Sequence, residues 1–207
     1  MRPSHALPIV LAGLLSIAAA RAAAQDAASL LFISPMGEPF RAPVTEPYPS
    51  ATWFAGADAN HDGVITRDEF RADALRFFKA LDANKDGQIS DLEVQRYEYI
   101  LAPEIIGATT DTSALSLQKD EDDDSPSKHV GLSPIRQGAA NFSFLNDAEP
   151  VRSADMDLNR RITQQEWMAA ADRRYDRLLI DGKDGLRLAD LPRPPNQPAK
   201  PAKAPKQ

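Results

Sequence analysis

Asp58-Ala59-Asn60-His61-Asp62-Gly63-Val64-Ile65-Thr66-Arg67-Asp68-Glu69 has oxygen donors at the intervals that a cation cage needs, and that decides the fold. Positions one, three and five (Asp58, Asn60, Asp62) supply short carboxylate or amide oxygens. Gly63 at position six permits a sharp turn, and Val64 at seven offers its main-chain carbonyl. Thr66 at nine can hold a water, while Glu69 at twelve is long enough to bind through both oxygens. The donor set suits a hard divalent cation, above all calcium, which takes about six to eight oxygens at roughly 2.3–2.6 Å. Ile65 at eight has no such role; its backbone is expected to pair with another loop while its side chain packs inward. Residues 82–93 fill the pattern again without a gap: Asp82, Asn84, Asp86, Gln88, Ser90 and Glu93 take the ligand roles and Ile89 the inward one. One match can arise by chance in an acidic chain, but two of the same build 24 residues apart (82 − 58) are a repeated device.

Between the loops, Phe70, Ala74, Phe77, Phe78 and Leu81 recur at helical spacing and predict one amphipathic helix. A further helix from Asp91 carries Val94, Tyr97 and Leu101 and is expected to stop before Pro103. Upstream, a short helix with Trp53 and Phe54 opens at Pro49-Ser50, with Ser50 as its expected N-cap. The proline-rich stretch before it, 25–49, reads as an extended arm whose Phe32, Ile33, Met36 and Phe40 drape over a core. Residues 104–143 read as a linker. Within it the run 119–128 has no apolar residue and is expected to be disordered, a clustered-acid cation site being the alternative. Residues 192–207, rich in proline and lysine, are expected to form an unstructured tail.

The pattern also recurs at a distance. Adding 97 to the first loop lands on residues 155–166, where Asp155, Asp157 and Asn159 stand at one, three and five, Arg161 offers its carbonyl at seven, and Glu166 stands at twelve. Position six is Arg160 instead of glycine. The same offset carries the second loop to 179–190, where only Asp181 and Asp190 remain usable. Phe70, Ala74, Phe78 and Leu81 correspond to Trp167, Ala171, Tyr175 and Leu178, with Phe77 mapping to Arg174. One ungapped offset that aligns loops and helix implies a duplicated pair of helix–loop–helix units.

On these residues the chain resembles EF-hand calcium-binding proteins, in particular exported bacterial proteins with closely spaced EF-hand pairs. The resemblance covers 50–103 and, partly degenerate, 144–191. It implies an all-α fold of helix–loop–helix units and calcium as the cofactor. It also implies metal ligation by Asp58, Asn60, Asp62, Val64 and Glu69, by Asp82, Asn84, Asp86, Gln88 and Glu93, and by Asp155, Asp157, Asn159, Arg161 and Glu166. Thr66 and Ser90 would act through water. Loops one and two each carry net charge −3, loops three and four each −1, so the first two are expected to bind tightest. Arg160, where the loop needs positive φ, should weaken the third, and the fourth should stay empty.

Only 12 residues (70–81) separate loops one and two. A straight helix of that span holds the loops at its two ends apart, and no Pro or Gly lies between Phe70 and Leu81 to break it. Each loop's partner then comes from the other repeat: Ile65 beside Leu186 and Ile89 beside Ile162, with the helices near 70–81 and 167–178 antiparallel. Two independent lobes, each with a kinked helix, are the alternative.

In the chain of 207 residues, Arg2, the apolar run Leu7 to Ala20 and Ala22-Ala23-Ala24 read as a signal peptide over 1–24. Export follows, to the periplasm or alternatively as a secreted protein, with no stable membrane span after cleavage. No cysteine is present, which excludes disulfides and thiolate metal sites. Net charge is −6, becoming −8 once Arg2 and Arg21 leave with the signal, which argues against nucleic acid as a partner. No nucleophile motif, phosphate-cradling loop or His pair at metal spacing appears, so no enzyme activity is expected. Two functions stay open: a calcium buffer or calcium-stabilised structural protein, and a calcium-dependent module docking a protein or polysaccharide of the cell envelope.

Overall fold

The computed structural model describes residues 29–107 and 136–198. The expected signal peptide, the acidic run 119–128 and the tail beyond 198 lie outside the described residues.

The elements in chain order are strands β1 (Ser29–Ile33) and β2 (Pro39–Pro43), helices α1 (Ser50–Ala57) and α2 (Arg67–Leu81), strand β3 (Gln88–Ser90) and helix α3 (Asp91–Arg96). Helix α3 widens into a π-helical turn over Tyr97–Leu101 and is followed by the short α4 (Glu104–Gly107). After the undescribed stretch come two 3-10 turns (Gly138–Asn141 and Arg152–Ala154), strand β4 (Arg161–Thr163) and helix α5 (Gln164–Leu178). The expectation of a purely all-α chain is thereby corrected: two small antiparallel sheets, β1–β2 and β3–β4, accompany the helices.

The first sheet comes from the stretch expected to be an extended arm. It folds back on itself, with Phe32 opposite Phe40, through a turn in which Ser34 N donates to Glu38 O and Gly37 adopts φ 103°. At Gly37 the Tyr97 hydroxyl donates to the carbonyl at 2.7 Å, and Pro150 and Val151 crowd the Cα, so a side chain there has neither room nor a favourable backbone. Phe32 and Ile33 are fully buried, Phe32 lying 4.8 Å from the ring of Phe144 and 5.8 Å from that of Trp53. The hairpin is core, not drapery.

Helices α2 and α5 form the centre. Both are unbroken over 15 residues. Phe70 at the start of α2 meets Tyr175 near the end of α5, ring centroids 5.6 Å apart, and Phe77 and Phe78 at the end of α2 meet Trp167 near the start of α5 at 6.1 and 6.0 Å. The helices are therefore antiparallel. Trp167 is fully buried and its indole N–H donates to Ala74 O at 2.8 Å. At the opposite end Arg67 lies over the Tyr175 ring at 4.6 Å and pairs with Asp172 and Asp176. A single core cluster joins both repeats and the hairpin.

Smaller departures have local causes. Ser50 is the first residue of α1, not its cap; Pro49 caps it without a side-chain bond. Helix α3 ends before Pro103 as expected, but its last turn is π-helical, Ala102 N reaching back to Tyr97 O at 2.8 Å. The stretch expected as a linker contributes buried Ile105, Ala139 and Ala140 at its two ends. The tail is ordered at its start, where Asn196 accepts from the Tyr48 hydroxyl and donates to Leu31 O, both at 2.7 Å. Among the described residues no helix is long and apolar enough to cross a membrane.

Candidate metal centre

The helices settle which loops meet. Because α2 does not bend, loop one at its start and loop two at its end stay apart, and each finds its partner in the other repeat. Ile65 bridges Leu186, with N–H to carbonyl bonds of 2.8 and 2.9 Å in the two directions. Strands β3 and β4 pair Gln88 with Thr163, Ile89 with Ile162 and Ser90 with Arg161. All four inward side chains are buried: Ile65, Ile89, Ile162 and Leu186. The loop pairing follows the cross-repeat expectation, not that of two separate lobes.

Loops one, two and three share one internal arrangement. At position one, Asp58, Asp82 and Asp155 each accept two backbone N–H bonds: Asp62 and Gly63 at 3.2 and 2.9 Å, Asp86 and Gly87 at 3.1 and 3.0 Å, Asn159 and Arg160 at 3.2 and 2.8 Å. At position three, Asn60, Asn84 and Asp157 each accept from the N–H two residues on, at 2.9, 3.0 and 3.1 Å. At position five, Asp62, Asp86 and Asn159 accept from Val64, Gln88 and Arg161 N–H at 2.8, 2.9 and 2.7 Å. These bonds fix the short side chains of the three loops in the same way, and among the described residues loop three alone brings three carboxylates within 4.8 Å of one another. The backbone repeats as well: position four has φ near 60° in all three loops (His61, Lys85, Leu158), and position six has φ 82°, 83° and 65° (Gly63, Gly87, Arg160). Arg160 thus takes the conformation that glycine holds in the other loops, as its position requires.

The glutamates at position twelve have two jobs. Glu69 Oε2 accepts from Thr66 N and Oγ1 at 2.9 and 2.7 Å, and Thr66 Oγ1 in turn accepts from Glu69 N at 3.3 Å. Glu93 with Ser90 and Glu166 with Thr163 make the equivalent carboxylate contacts at 2.8–2.9 Å. These are capping boxes for α2, α3 and α5. The Ser/Thr-x-x-Glu spacing was visible in the sequence as a helix start, but positions nine and twelve were read there only as cation positions. The Thr66 backbone and hydroxyl donors hold the Glu69 carboxyl below its usual range. For Glu93 and Glu166 burial acts upward, yet the donors at Ser90 and Thr163 and at the loop backbone outweigh it, so both also sit below the ordinary value. All three stay ionised, as a cation ligand must.

The donors fit calcium in kind: carboxylate, amide and main-chain oxygens, about six protein atoms per loop with room left for water. In loop three, ligand oxygens of Asp155, Asp157 and Glu166 lie within 4.8 Å of one another. Loop four does not gather oxygens. Two of its three acids are taken by its own cations, Asp184 by Arg187 at 2.9 Å and Asp190 by Lys183 at 3.8 Å. It keeps the pairing role through Leu186 and through Gly185, where a Cβ would lie 2.4 Å from Val64 Cγ1 and 2.9 Å from Ile65 O.

Residues 51–72 and 76–96 match the family model described as EF hand. Both stretches are similar to EF hands. Each match contains one complete loop, and the module is a calcium-binding, non-enzymatic one, which supports calcium binding by this chain. No curated protein and no solved structure matches the chain.

Sequence reading missed Gly185, whose lack of a side chain lets loop four lie against loop one. It also took Arg174 only as a weaker apolar position. Arg174 is buried and ties α5 to Asp147 at 2.8 Å, to Ser153 Oγ at 2.8 Å and to the carbonyl of Pro150. The bulk of Phe77 in one repeat is replaced in the other by a charge that binds the preceding segment.

Proposed function

We propose that this is an exported bacterial protein that binds calcium in its EF-hand loops and uses the ion to hold its fold together. The ligands are Asp58, Asn60, Asp62, Val64 and Glu69 in loop one and Asp82, Asn84, Asp86, Gln88 and Glu93 in loop two. In loop three they are Asp155, Asp157, Asn159, Arg161 and Glu166. Thr66 and Ser90 act through water. The observation that carries the reading is one pattern of backbone-to-side-chain hydrogen bonds found in three loops, with the loops coupled in pairs across the repeats. Ions bound at loops one and two would each support a strand ladder whose other half belongs to the second repeat, so binding supports the whole core. Export, with the periplasm as its destination, rests on the charged and apolar pattern of residues 1–24.

Calorimetry on chelator-stripped protein tests this. Two tighter calcium events are expected, one lost in Glu69→Gln and the other in Glu93→Gln, with a weaker third lost in Glu166→Gln. Magnesium should compete poorly, since it prefers six oxygens at about 2.0–2.1 Å and gives up water reluctantly. No saturable heat, or heats indifferent to all three substitutions, refutes the reading.

A further inference from the structure

Loop three differs from its two relatives in what it presents to solvent. At positions two and four it carries Met156 and Leu158, 58% and 83% exposed, where loop one has Ala59 and His61 and loop two has Ala83 and Lys85. At position six Arg160 stands in the left-handed region, a conformation that costs a residue with Cβ about 1 kcal/mol relative to glycine. Arg161 follows it, exposed, and Arg173 reaches across from α5 with a guanidinium nitrogen 2.9 Å from Met156 Sδ. Among the described residues, none of Arg160, Arg161 and Arg173 forms an ion pair, a property they share with Arg96, Arg136, Arg177 and Arg193, whereas Arg41, Arg67, Arg71, Arg76, Arg152, Arg174 and Arg187 form one. The β3–β4 pairing sets loop two, which carries Lys85 on its exposed side but a net charge of −3, next to this group. Beside the loop lies a depression of about 330 Å³ bounded by Met156, Asp157, Thr163, Gln165, Glu166 and Ala169. Apolar tips, guanidinium groups without a carboxylate partner and a hollow beside Asp157 and Glu166 thus lie together in a chain whose net charge is −6.

We propose that loop three docks the protein on an anionic phospholipid surface when calcium fills it; this rests on the calcium reading above. Without the ion, the carboxylates of Asp155, Asp157 and Glu166, crowded within 4.8 Å, oppose approach to an anionic surface. With the ion in place their charge is offset and the arginines dominate. Leu158 and Met156 then enter the boundary between headgroups and acyl chains, while Arg160, Arg161 and Arg173 take headgroup phosphates, which guanidinium groups bind in a two-pronged manner. The arginine at position six is explained by this role: a glycine there would suit the backbone better but offer no cation to the surface.

The test uses the full chain with a polarity-sensitive dye on Gln164→Cys, an exposed position in a chain with no other thiol. Because the dye reports loop three itself, any hold that the apolar stretch at 7–20 has on lipid does not contribute. Vesicles of phosphatidylcholine, with and without phosphatidylglycerol, are titrated in calcium and in chelator. A blue shift and quenching by a lipid-borne quencher are expected only with calcium and phosphatidylglycerol together. Leu158→Ser should weaken partition about tenfold, as expected for losing a partly buried leucine. Arg160→Gly should weaken it about fivefold while calcium binding holds or tightens. A signal equal on neutral vesicles, present in chelator or unchanged in Leu158→Ser overturns the proposal, as does capture of a phosphorylated polysaccharide without any vesicle signal. Calorimetry on the same protein separates the two readings. A loop-three calcium heat without a dye response sinks docking alone, whereas no calcium heat at any loop sinks the calcium reading and docking with it.

Discussion

Replacing Trp167 with alanine tests whether the two repeats are one folding unit. Trp167 belongs to the second repeat, yet its ring lies between Phe77 and Phe78 of the first, and its N–H is bound to Ala74 O at 2.8 Å. It is fully buried. Truncating such a side chain costs about 3–5 kcal/mol through lost transfer energy and the cavity left behind. That is a large share of the roughly 5–15 kcal/mol that holds a domain together. For a chain of this size it corresponds to a fall in Tm of about 10 °C or more. The whole unfolding transition should shift, as one event, when melts are followed by circular dichroism in chelator. Calcium should recover part of the loss, because an ion that binds only the folded form adds about 2.7 kcal/mol per site at a hundredfold excess over Kd. Apparent calcium affinity at loops one and two should weaken although Trp167 belongs to neither loop. The reasoning is refuted by two separate transitions of which only one moves, or by a fragment of residues 29–107 that folds and binds calcium like the parent.

Gly185→Ala should destabilise the protein by about 1–3 kcal/mol, because the added carbon collides with Val64 and the Ile65 carbonyl. The same change should weaken calcium binding at loop one more than at loop two, and calorimetry that finds both loops unaffected counts against the loop one–loop four pairing. Glu149 gives a pH signature: burial first, then the neighbouring Glu98, pushes its carboxyl up to about 6 from an ordinary 4.5. A carboxyl raised in the folded state binds its proton better there than in the unfolded chain. Stability should therefore fall as pH rises from about 4.5 through about 6. Glu149→Gln should remove that fall, worth roughly 1 kcal/mol once solvent screening of this half-exposed group is allowed for. Urea melts across that range with the same pH dependence in both proteins would contradict the assignment.

The cation loops were legible because the sequence rule for such a loop is written position by position: Asp58 through Glu69 and Asp82 through Glu93 declare their roles without help from distant residues. Helices α2 and α5 were legible because Phe70 to Leu81 and Trp167 to Leu178 carry an uninterrupted apolar face, and the lack of a breaker forced the loops to pair across repeats. The hairpin was not. Its strands are short and proline-flanked, and Phe32 gains its place only when Phe144 and Trp53 arrive from far along the chain. Arg174 was misread for a related reason, since a charge on an apolar face looks like a flaw until Asp147 and the Pro150 carbonyl are seen to receive it. Nor did Asn196 signal that it binds Tyr48 and Leu31, because a proline-rich segment with few apolar residues gives no periodicity to read.

The two halves of the duplication have lost different things, and the structure shows what each loss leaves intact. Loop four has lost the donor pattern: Leu179 stands where the first carboxylate belongs, and Asp190 and Asp184 are paired with Lys183 and Arg187. Its Leu186 is nonetheless buried and hydrogen-bonded to Ile65 in both directions. A loop without the donor pattern still completes the pairing beside one that has it, and deleting it would expose Ile65 and two backbone groups to water. Loop three has kept its ligands and given up only glycine, at a cost of about 1 kcal/mol in backbone conformation. A loss driven by disuse would be expected to reach the ligands as well, as it has in loop four. In loop three the ligand bonds match those of loops one and two within a few tenths of an ångström, while the changes fall on the side chains that face solvent: Met156, Leu158, Arg160 and Arg161. Keeping the cage while replacing its outer surface is what a loop requires when the bound ion governs contact with something outside the protein.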